Sequence, residues 1–343
     1  MLIRFPRLVL SRALAVAIGS TVLLLACSST GAPEGAGKNP NDLPQAKPPR
    51  APGQGAPVES AAIETPQDEP AASPEFLADF ADWRDEREFA LQSPEGYLGL
   101  AGMYWLAPGE HVVGSGPDCD IELPAGRAPE RVGTLTVRGE TVSLAVDPGV
   151  RVMLNGKAVE SAELTLGESQ PLRVRDLSFW LIERAGQLGI RLRDPESPVL
   201  TSYQGTTTWP PRESWRVPAR FKPYGVPRDV RVPNVLGSYY EQESSGVLQF
   251  THGGREHSLT VTGGGSTSLF VIFGDASNGR GSYSGGRFLA VAMPDEDGMT
   301  TLDFNRAYNP PCAYSPFTTC PLPPSGNELP FAVKAGEQVP KGH

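Results

Sequence analysis

Residues 151–160, RVMLNGKAVE, decide the fold class of this chain. Their two apolar halves flank Asn155-Gly156, a dipeptide that two-residue β-hairpin turns favour because both of its residues readily adopt positive φ. Upstream, TLTV (134–137) and VSLAV (142–146) alternate between apolar and polar positions. Alternation with a period of two indicates half-buried strands. This region is therefore predicted to be an antiparallel β domain that contains a tight hairpin.

Short apolar runs recur outward from this hairpin, about 8 to 12 residues apart, which is typical of β-sandwiches. They cover residues 97–194, and a second group of predicted strands covers 246–308. The proline-rich residues 194–233 between them are predicted to wrap from one half to the other without regular structure. The expected fold class is all-β with minor α, comprising an N-terminal β-sandwich and a second, mostly antiparallel β domain.

One amphipathic helix is predicted before the sandwich. Ser73-Pro74-Glu75 has the pattern of a helix start, with proline at the first helical position. Phe76, Phe80 and Trp83 then fall on one stripe among acidic residues. Because the polar face is acidic rather than basic, the helix is expected to pack on the folded domain instead of lying on a membrane.

The amino terminus has the features of a lipoprotein export signal. Three arginines and no acidic residue precede an apolar run that ends in Leu24-Leu25-Ala26-Cys27, a lipobox. We expect residues 1–26 to be a signal peptide, and Cys27 to carry acyl chains that anchor the protein to a membrane. The resemblance to bacterial lipoproteins implies sorting to the outer membrane in bacteria with two membranes, because the residue after the cysteine, Ser28, is not aspartate.

The organisation predicted after Cys27 has three parts. Residues 27–74 contain many prolines and no aromatic residue, so they cannot bury enough apolar surface to fold and are predicted to be a disordered tether. Residues 75–200 are assigned to the helix plus sandwich, and 201–343 to the C-terminal β domain. The formal net charge of −9 and the lack of a basic cluster argue against nucleic-acid binding.

The hairpin FTHGGREHSLTV, residues 250–261, supplies the first candidate binding residues. With Gly253-Gly254 as its turn, His252 lies opposite Arg255, and His257 lies on the same face. This face either lines a cleft, where it would offer cations and proton carriers, or is ordinary solvated surface. Nothing else in the chain is rich in histidine, so no metal is expected. No G-x-G-x-x-G or P-loop motif is present to indicate a nucleotide, so no other cofactor is expected either.

Candidate catalytic residues come from two predicted strand ends. Asp275 ends one apolar strand, with Arg287 at the start of the returning strand, and Asp303 and Asn305 follow another. The two carboxylates would suffice for general acid and base catalysis if they converge, or they could be a polar network that holds loops. Three polar residues nearby complete the candidate binding set: Tyr283, Tyr308 and Asn309.

Cys312 and Cys320 lie close together in a chain that is predicted to be exported. Oxidising compartments favour disulfides, and two thiolates are too few to bind zinc. We therefore predict a disulfide between them.

Two family resemblances follow from these motifs. VVGSGPDCDIELP and VMLNGKAV, in the sandwich, resemble a degenerate forkhead-associated domain. Ser115 stands where that family has arginine, and no Ser-x-x-His follows, so phosphothreonine binding is not carried over. From Trp83 to Val339, and most closely in IFGDASNG, SYSGGRFL and LDFNRAYNPPCAYSPFTTCPLPP, the chain resembles the bacterial family called domain of unknown function 1684. That resemblance implies shared polar residues around 303–324, but neither a substrate nor a reaction.

The sequence favours an envelope lipoprotein that binds a small molecule or a polymer through a polar cleft in its C-terminal domain. Two alternatives stay open. One is an envelope hydrolase or transferase with Asp275 or Asp303 as its base, and the other is a purely structural envelope protein.

Overall fold

The computed structural model describes residues 71–184 and 186–341. The predicted signal peptide, Cys27 and the tether as far as residue 70 lie outside the described residues. Within these two ranges, no helix combines the length and the apolar character needed to cross a bilayer.

The described residues form two α-helices, eighteen β-strands and several short 3-10 turns. The helices are α1 (Pro74–Gln92) and α2 (Pro198–Thr201). The first eleven strands are β1 (Leu100–Trp105), β2 (Gly109–Gly114), β3 (Ile121–Glu122), β4 (Gly133–Arg138), β5 (Thr141–Val146), β6 (Val152–Leu154), β7 (Lys157–Val159), β8 (Ser161–Leu164), β9 (Leu172–Val174), β10 (Leu177–Arg184) and β11 (Gln187–Arg193). The others are β12 (Arg216–Pro233), β13 (Tyr239–His252), β14 (Arg255–Thr260), β15 (Ser268–Asp275), β16 (Arg287–Ala292), β17 (Met299–Asp303) and β18 (Glu328–Leu329). The prediction of an all-β fold with minor helix is confirmed.

The N-terminal half is a β-sandwich. A sheet in the order β1-β11-β10-β9-β6-β7 and another in the order β3-β2-β4-β5-β8 share one apolar core. The predicted hairpin joins β6 to β7, with Leu154 opposite Lys157 and positive φ at Asn155 (51°) and Gly156 (75°). The turn that decided the fold class thus has the backbone conformation that its sequence requires.

The C-terminal half is built on the sheets β14-β13-β12-β17 and β16-β15-β18. The prediction of irregular structure for residues 194–233 is wrong for residues 216–233, because these form β12, an 18-residue strand paired antiparallel with β13. The register shifts between Pro223 and Arg228, so Pro223 and Pro227 fall where ladder hydrogen bonds are interrupted. Prolines are tolerated in strands at such irregularities, which explains why the high proline content of this segment wrongly indicated irregular structure.

Helix α1 begins as predicted, because the Ser73 hydroxyl caps it by accepting a hydrogen bond from the Phe76 amide at 3.3 Å. Its ion pairs, however, reach the C-terminal half. Arg306 contacts Asp79 at 2.5 Å. Farther along the helix, Arg87 likewise contacts Glu337, at 2.9 Å. The predicted grouping of this helix with the sandwich therefore missed its main polar contacts.

Candidate functional site

The β13–β14 hairpin has the register that was predicted from its sequence. His252 pairs with Arg255, and Phe250 pairs with His257. Gly253 (φ 57°) and Gly254 (φ 70°) form the two-residue turn, which requires positive φ at both positions. The three candidate binding residues His252, Arg255 and His257 therefore do share one face of the hairpin.

Aromatic rings surround the two histidines on this face. The His252 ring stacks between Trp215 (5.2 Å between centroids) and Phe331 (4.3 Å). His257 meets Phe331 edge-on at 4.9 Å. Across residues 71–184 and 186–341, no hydrogen bond reaches either imidazole, and no carboxylate pairs with the exposed Arg255. We call these five residues the hairpin face.

The electrostatics of the hairpin face follow from its partial burial. Burial lowers the pKa of His252, and repulsion from His257 lowers it further. Both effects disfavour the charged imidazole. An anion that approached these rings would act in the opposite direction and favour protonation.

Asp275 and Arg287 come together, but in the protein interior. Their side chains have no exposed surface and form an ion pair at 2.8 Å. The other carboxylate oxygen of Asp275 accepts hydrogen bonds from the amides of Ser277 (2.8 Å) and Val333 (3.0 Å). Of the two alternatives for Asp275, the structure therefore supports the polar network that holds a loop; a catalytic role for Asp275 and Arg287 is wrong, because neither side chain has exposed surface.

Arg287 also fixes the path of the C-terminal segment. Its guanidinium donates to the carbonyls of Val333 (2.8 Å) and Ala335, and to that of Glu337 (3.3 Å). Its guanidinium carbon, Cζ, lies 5.3 Å from the centre of the Trp209 ring. Burial lowers the pKa of Arg287, while Asp275 opposes that shift. This arginine therefore ties strand β16 to residues 333–337.

Asp303 and Asn305 form a separate polar group. Asp303 caps a 3-10 turn by accepting from the backbone amide of Asn305 (3.1 Å) and from its side chain (2.9 Å). The buried Asn305 side chain bonds both the amide and the carbonyl of Arg212, each at 2.9 Å. The prediction of Asn305 as a catalytic group is wrong, because backbone groups occupy its polar atoms.

The two carboxylates share no hydrogen-bond or ion-pair partner among the described residues. Asp275 pairs with Arg287, whereas Asp303 lies 3.5 Å from Arg306 and 3.8 Å from Arg216. The predicted convergence of two acids with Asn305 and Arg287 is therefore wrong. Two acids that are each held by their own donors cannot act as a proton-transferring pair.

Tyr308 and Asn309 belong to a cluster that the sequence did not reveal. The carboxylate of Glu337, 1% exposed, accepts hydrogen bonds from Arg87 (2.9 Å), the Asn309 amide (2.6 Å) and the Tyr314 hydroxyl (2.8 Å). The Arg87 guanidinium also lies 4.7 Å from the centre of the Tyr308 ring. Burial and the nearby Glu337 raise the pKa of Tyr314. This cluster docks α1 onto the C-terminal half.

Few sequence signals pointed to this cluster. Arg87 lies in the predicted amphipathic helix, where no motif marks it. Glu337 lies in the C-terminal segment, also outside any recognisable motif. Tyr283 is another residue of the candidate binding set. Its ring is half-buried, its carbonyl accepts from Asn278 at 2.9 Å, and burial raises its pKa.

The predicted disulfide is confirmed, since Cys312 and Cys320 are bonded with 5.9 Å between their Cα atoms. Phe317, inside the closed loop, packs against Trp180 and Ile182 of the sandwich. The loop is therefore a structural staple that also joins the C-terminal half to the N-terminal one.

Comparisons with known proteins agree with the C-terminal resemblance. Residues 201–338 match a family described as protein of unknown function (DUF1684). An uncharacterized protein from gene locus rrnAC0354 of Haloarcula marismortui, solved by NMR, is 34% identical, with a TM-score of 0.36; the match covers 44% of this chain and 83% of that one. None of the curated proteins compared with the chain matches it.

Forkhead-associated domains are also among the similar solved structures. The FhaA FHA domain, solved with the intracellular domain of Rv3910, is 19% identical over 26% of this chain and 85% of its own, with a TM-score of 0.20. A second FHA domain, from work on phosphothreonine-dependent interactions, is 17% identical over 27% of this chain and 93% of its own, also with a TM-score of 0.20.

Proposed function

We propose that this chain, which belongs through residues 201–338 to the family described as protein of unknown function (DUF1684), is a ligand-binding module held on the bacterial cell envelope. A basic, then apolar leader that ends in Leu24-Leu25-Ala26-Cys27 supports export and lipid attachment at Cys27. The acidic, proline-rich residues that follow support a tether between the lipid and the folded part.

The observation that carries the binding role is the composition of the hairpin face. Two imidazoles lie beside aromatic rings, Arg255 pairs with His252 across the hairpin, and hydrogen bonds within the described part of the chain occupy none of the three side chains. Buried polar groups that stabilise a fold are normally hydrogen-bonded within it, as Asp275 and Asn305 are here, whereas the polar groups of the hairpin face are at least partly exposed and open to a ligand. Donors left unused beside flat rings support recognition of an external ligand.

The chemistry of the hairpin face favours an acidic ligand that contains rings. Arg255 and the two histidines provide hydrogen-bond donors and positive charge for carboxylates. The partly exposed ring of Phe331 provides apolar surface with a negative face, against which the C–H groups of a sugar can pack, while Trp215, 7% exposed, stacks on His252. We therefore propose an acidic carbohydrate, such as a fragment of a cell-wall polymer, as the ligand class.

The catalytic alternative has less support. A general base needs a carboxylate oxygen that is free to accept a proton from a substrate or water. Asp275 is fully buried in its ion pair, and Asp303 caps a turn and contacts two arginines. These arrangements favour a binding protein over a hydrolase that uses either acid.

Binding to soluble peptidoglycan fragments tests the ligand proposal, with neutral dextran oligosaccharides as the comparison. We expect saturable binding of the acidic fragments, reduced about tenfold, or about 1.4 kcal/mol, by His252→Gln combined with His257→Gln. The matched control is Glu256→Gln, because Glu256 pairs with Thr251 on the opposite face of the same hairpin. No binding, or an equal loss in the control, would contradict the proposed ligand face.

Fractionation tests the anchor separately. The wild-type protein should partition with membranes and carry an acylated Cys27 in mass spectra, whereas Cys27→Ser should be found in the soluble fraction. An unmodified Cys27 thiol in soluble wild-type protein would contradict the anchor without affecting the ligand test.

A further inference from the structure

The outer face of the six-stranded sheet in the sandwich differs from an ordinary solvated face. Phe179 and Leu181 of β10 point into the sandwich core, so Trp180 and Ile182 point the opposite way. These two outward residues are nevertheless only 4% exposed. Trp180 pairs directly with Arg191 of β11, which places that arginine on the same outer face.

A concavity of about 590 Å³ opens on this face. Strands β10 and β11 form its floor, and the segment 166–168, which runs beside Leu181 of β10, forms one wall. Its lining is Leu166, Gly167, Glu168, Trp180, Ile182, Glu183, Arg184 and Arg191. The disulfide-closed loop borders it, since Arg184 donates to the Thr319 hydroxyl at 3.0 Å. Junctions between folded units are common places for small-molecule sites.

The concavity is lined by two arginines and two glutamates, but one of the arginines, Arg191, has no compensating carboxylate in the described part of the chain. Arg193 forms an ion pair with Glu168, and its guanidinium carbon lies 4.9 Å from the centre of the Trp180 ring. Arg191 has no carboxylate within ion-pair distance among the described residues. Its Nε is buried without an acceptor, and its nearest polar contact is the sulfur of Met103, at 3.9 Å.

Because Arg191 is partly buried, the lack of an opposite charge beside its guanidinium costs free energy. A desolvated charge is tolerated when an opposite charge or hydrogen bonds compensate for the lost water. Burial lowers the pKa of Arg191 to about 10, and repulsion from Arg184 and Arg193 contributes more than Glu168 can offset. The uncompensated charge is thus that of Arg191 itself, within a lining whose formal charges balance.

We propose that this concavity binds an oxyanion, the phosphate or carboxylate group of a small molecule, with Arg191 as its main contact. Guanidinium groups bind both anions through paired hydrogen bonds, which explains why arginine suits such a pocket. Leu166, which is 53% exposed on the wall of the concavity, offers apolar surface to the part of the ligand that carries the anion. This site lies in the sandwich and does not depend on the hairpin face.

Calorimetric titration of the full chain with inorganic phosphate and with benzoate tests the proposal at constant ionic strength, with chloride as the reference anion. We expect saturable binding of at least one probe and at least a tenfold loss of affinity in Arg191→Met. The matched control is Arg138→Met, which removes an exposed arginine at the end of β4 in the other sheet. That variant should bind like the wild type.

A measurement on the wild-type protein keeps the test valid if Arg191→Met does not fold. In spectra of ¹⁵N-labelled arginine side chains, the Nε–H signal of Arg191 should shift with phosphate or benzoate and saturate, while that of Arg138 stays in place. Failure of both probes to bind, equal losses in the two variants, or equal shifts of the two signals would overturn the proposal.

Discussion

Arg287 and Asp275 face each other at 2.8 Å in the interior of the C-terminal half, and neither side chain reaches solvent. The pair ends two neighbouring strands, since Asp275 closes β15 and Arg287 opens β16. Through the carbonyls of Val333 and Ala335 it also holds the segment that runs along the end of the sheet. These residues are a structural centre rather than a reactive one.

Asp275→Ala should destabilise the protein severely. Removing one partner leaves a buried guanidinium uncompensated, which costs about 3–5 kcal/mol. Urea unfolding should show this loss, whereas Glu241→Gln, at the exposed pair with Arg231, should cost less than about 1 kcal/mol. Comparable effects of the two substitutions would mean that the buried pair is not a structural centre.

Asn305→Asp should also destabilise the fold, although the two side chains have nearly the same shape. The amide both accepts from the Arg212 N–H and donates to its carbonyl, but a carboxylate can only accept. The new charge would also lie beside Asp303. We expect a loss of roughly 2 kcal/mol or more in chemical denaturation. Wild-type stability in this variant would show that the paired contact with Arg212 contributes little.

Opening the disulfide should lower stability without changing the fold class. The bond joins residues with a sequence separation of 8. In the chain-entropy model, closing such a loop contributes about 2.5 kcal/mol. Unfolding of the wild type should be compared with and without reductant, using Cys119→Ala to exclude effects of the free thiol. If reductant leaves the denaturation midpoint unchanged, the loop is held by its other contacts.

The stability of the C-terminal half should fall as the pH drops from 7.5 to 5.5. The pKa of His252 is lowered in the folded state, so the unfolded chain binds more protons in this range. The contribution of neutral His252 to stability is complete above the ordinary histidine pKa of about 6.5. It is lost as the pH falls below that value towards the lower pKa of the folded state. His252→Gln should flatten this dependence. An unchanged slope in His252→Gln would contradict the effect.

Local patterns predicted much of the fold because they depend on neighbouring residues. Asn155-Gly156 and Gly253-Gly254 specified their turns and registers, and Ser73 specified the helix start. In contrast, the prolines of β12 concealed the strand, and the register shift at which two of them, Pro223 and Pro227, lie depends on the partner strand. Sequence also could not show that Asp275 is buried, because that depends on residues 333–337, which lie far along the chain.

The candidate site was only partly predictable for a similar reason. Hairpin register follows from a turn and alternation, so the shared face of His252, Arg255 and His257 was accessible from sequence. The stacking of Phe331 and Trp215 on that face was not, because both residues come from distant segments. The same holds for Arg191, because only the folded structure shows that no carboxylate of the described residues lies within ion-pair distance of it.

The central claim, that the hairpin face binds a ligand, is tested most directly by the imidazole C–H signals in NMR spectra of the full chain. During titration with soluble peptidoglycan fragments, the signals of His252 and His257 should shift and saturate together. The signal of His111, which contacts the Ala107 carbonyl in the sandwich, should remain fixed. If no signal moves, or if that of His111 moves as far as the other two, the hairpin face is not the binding site.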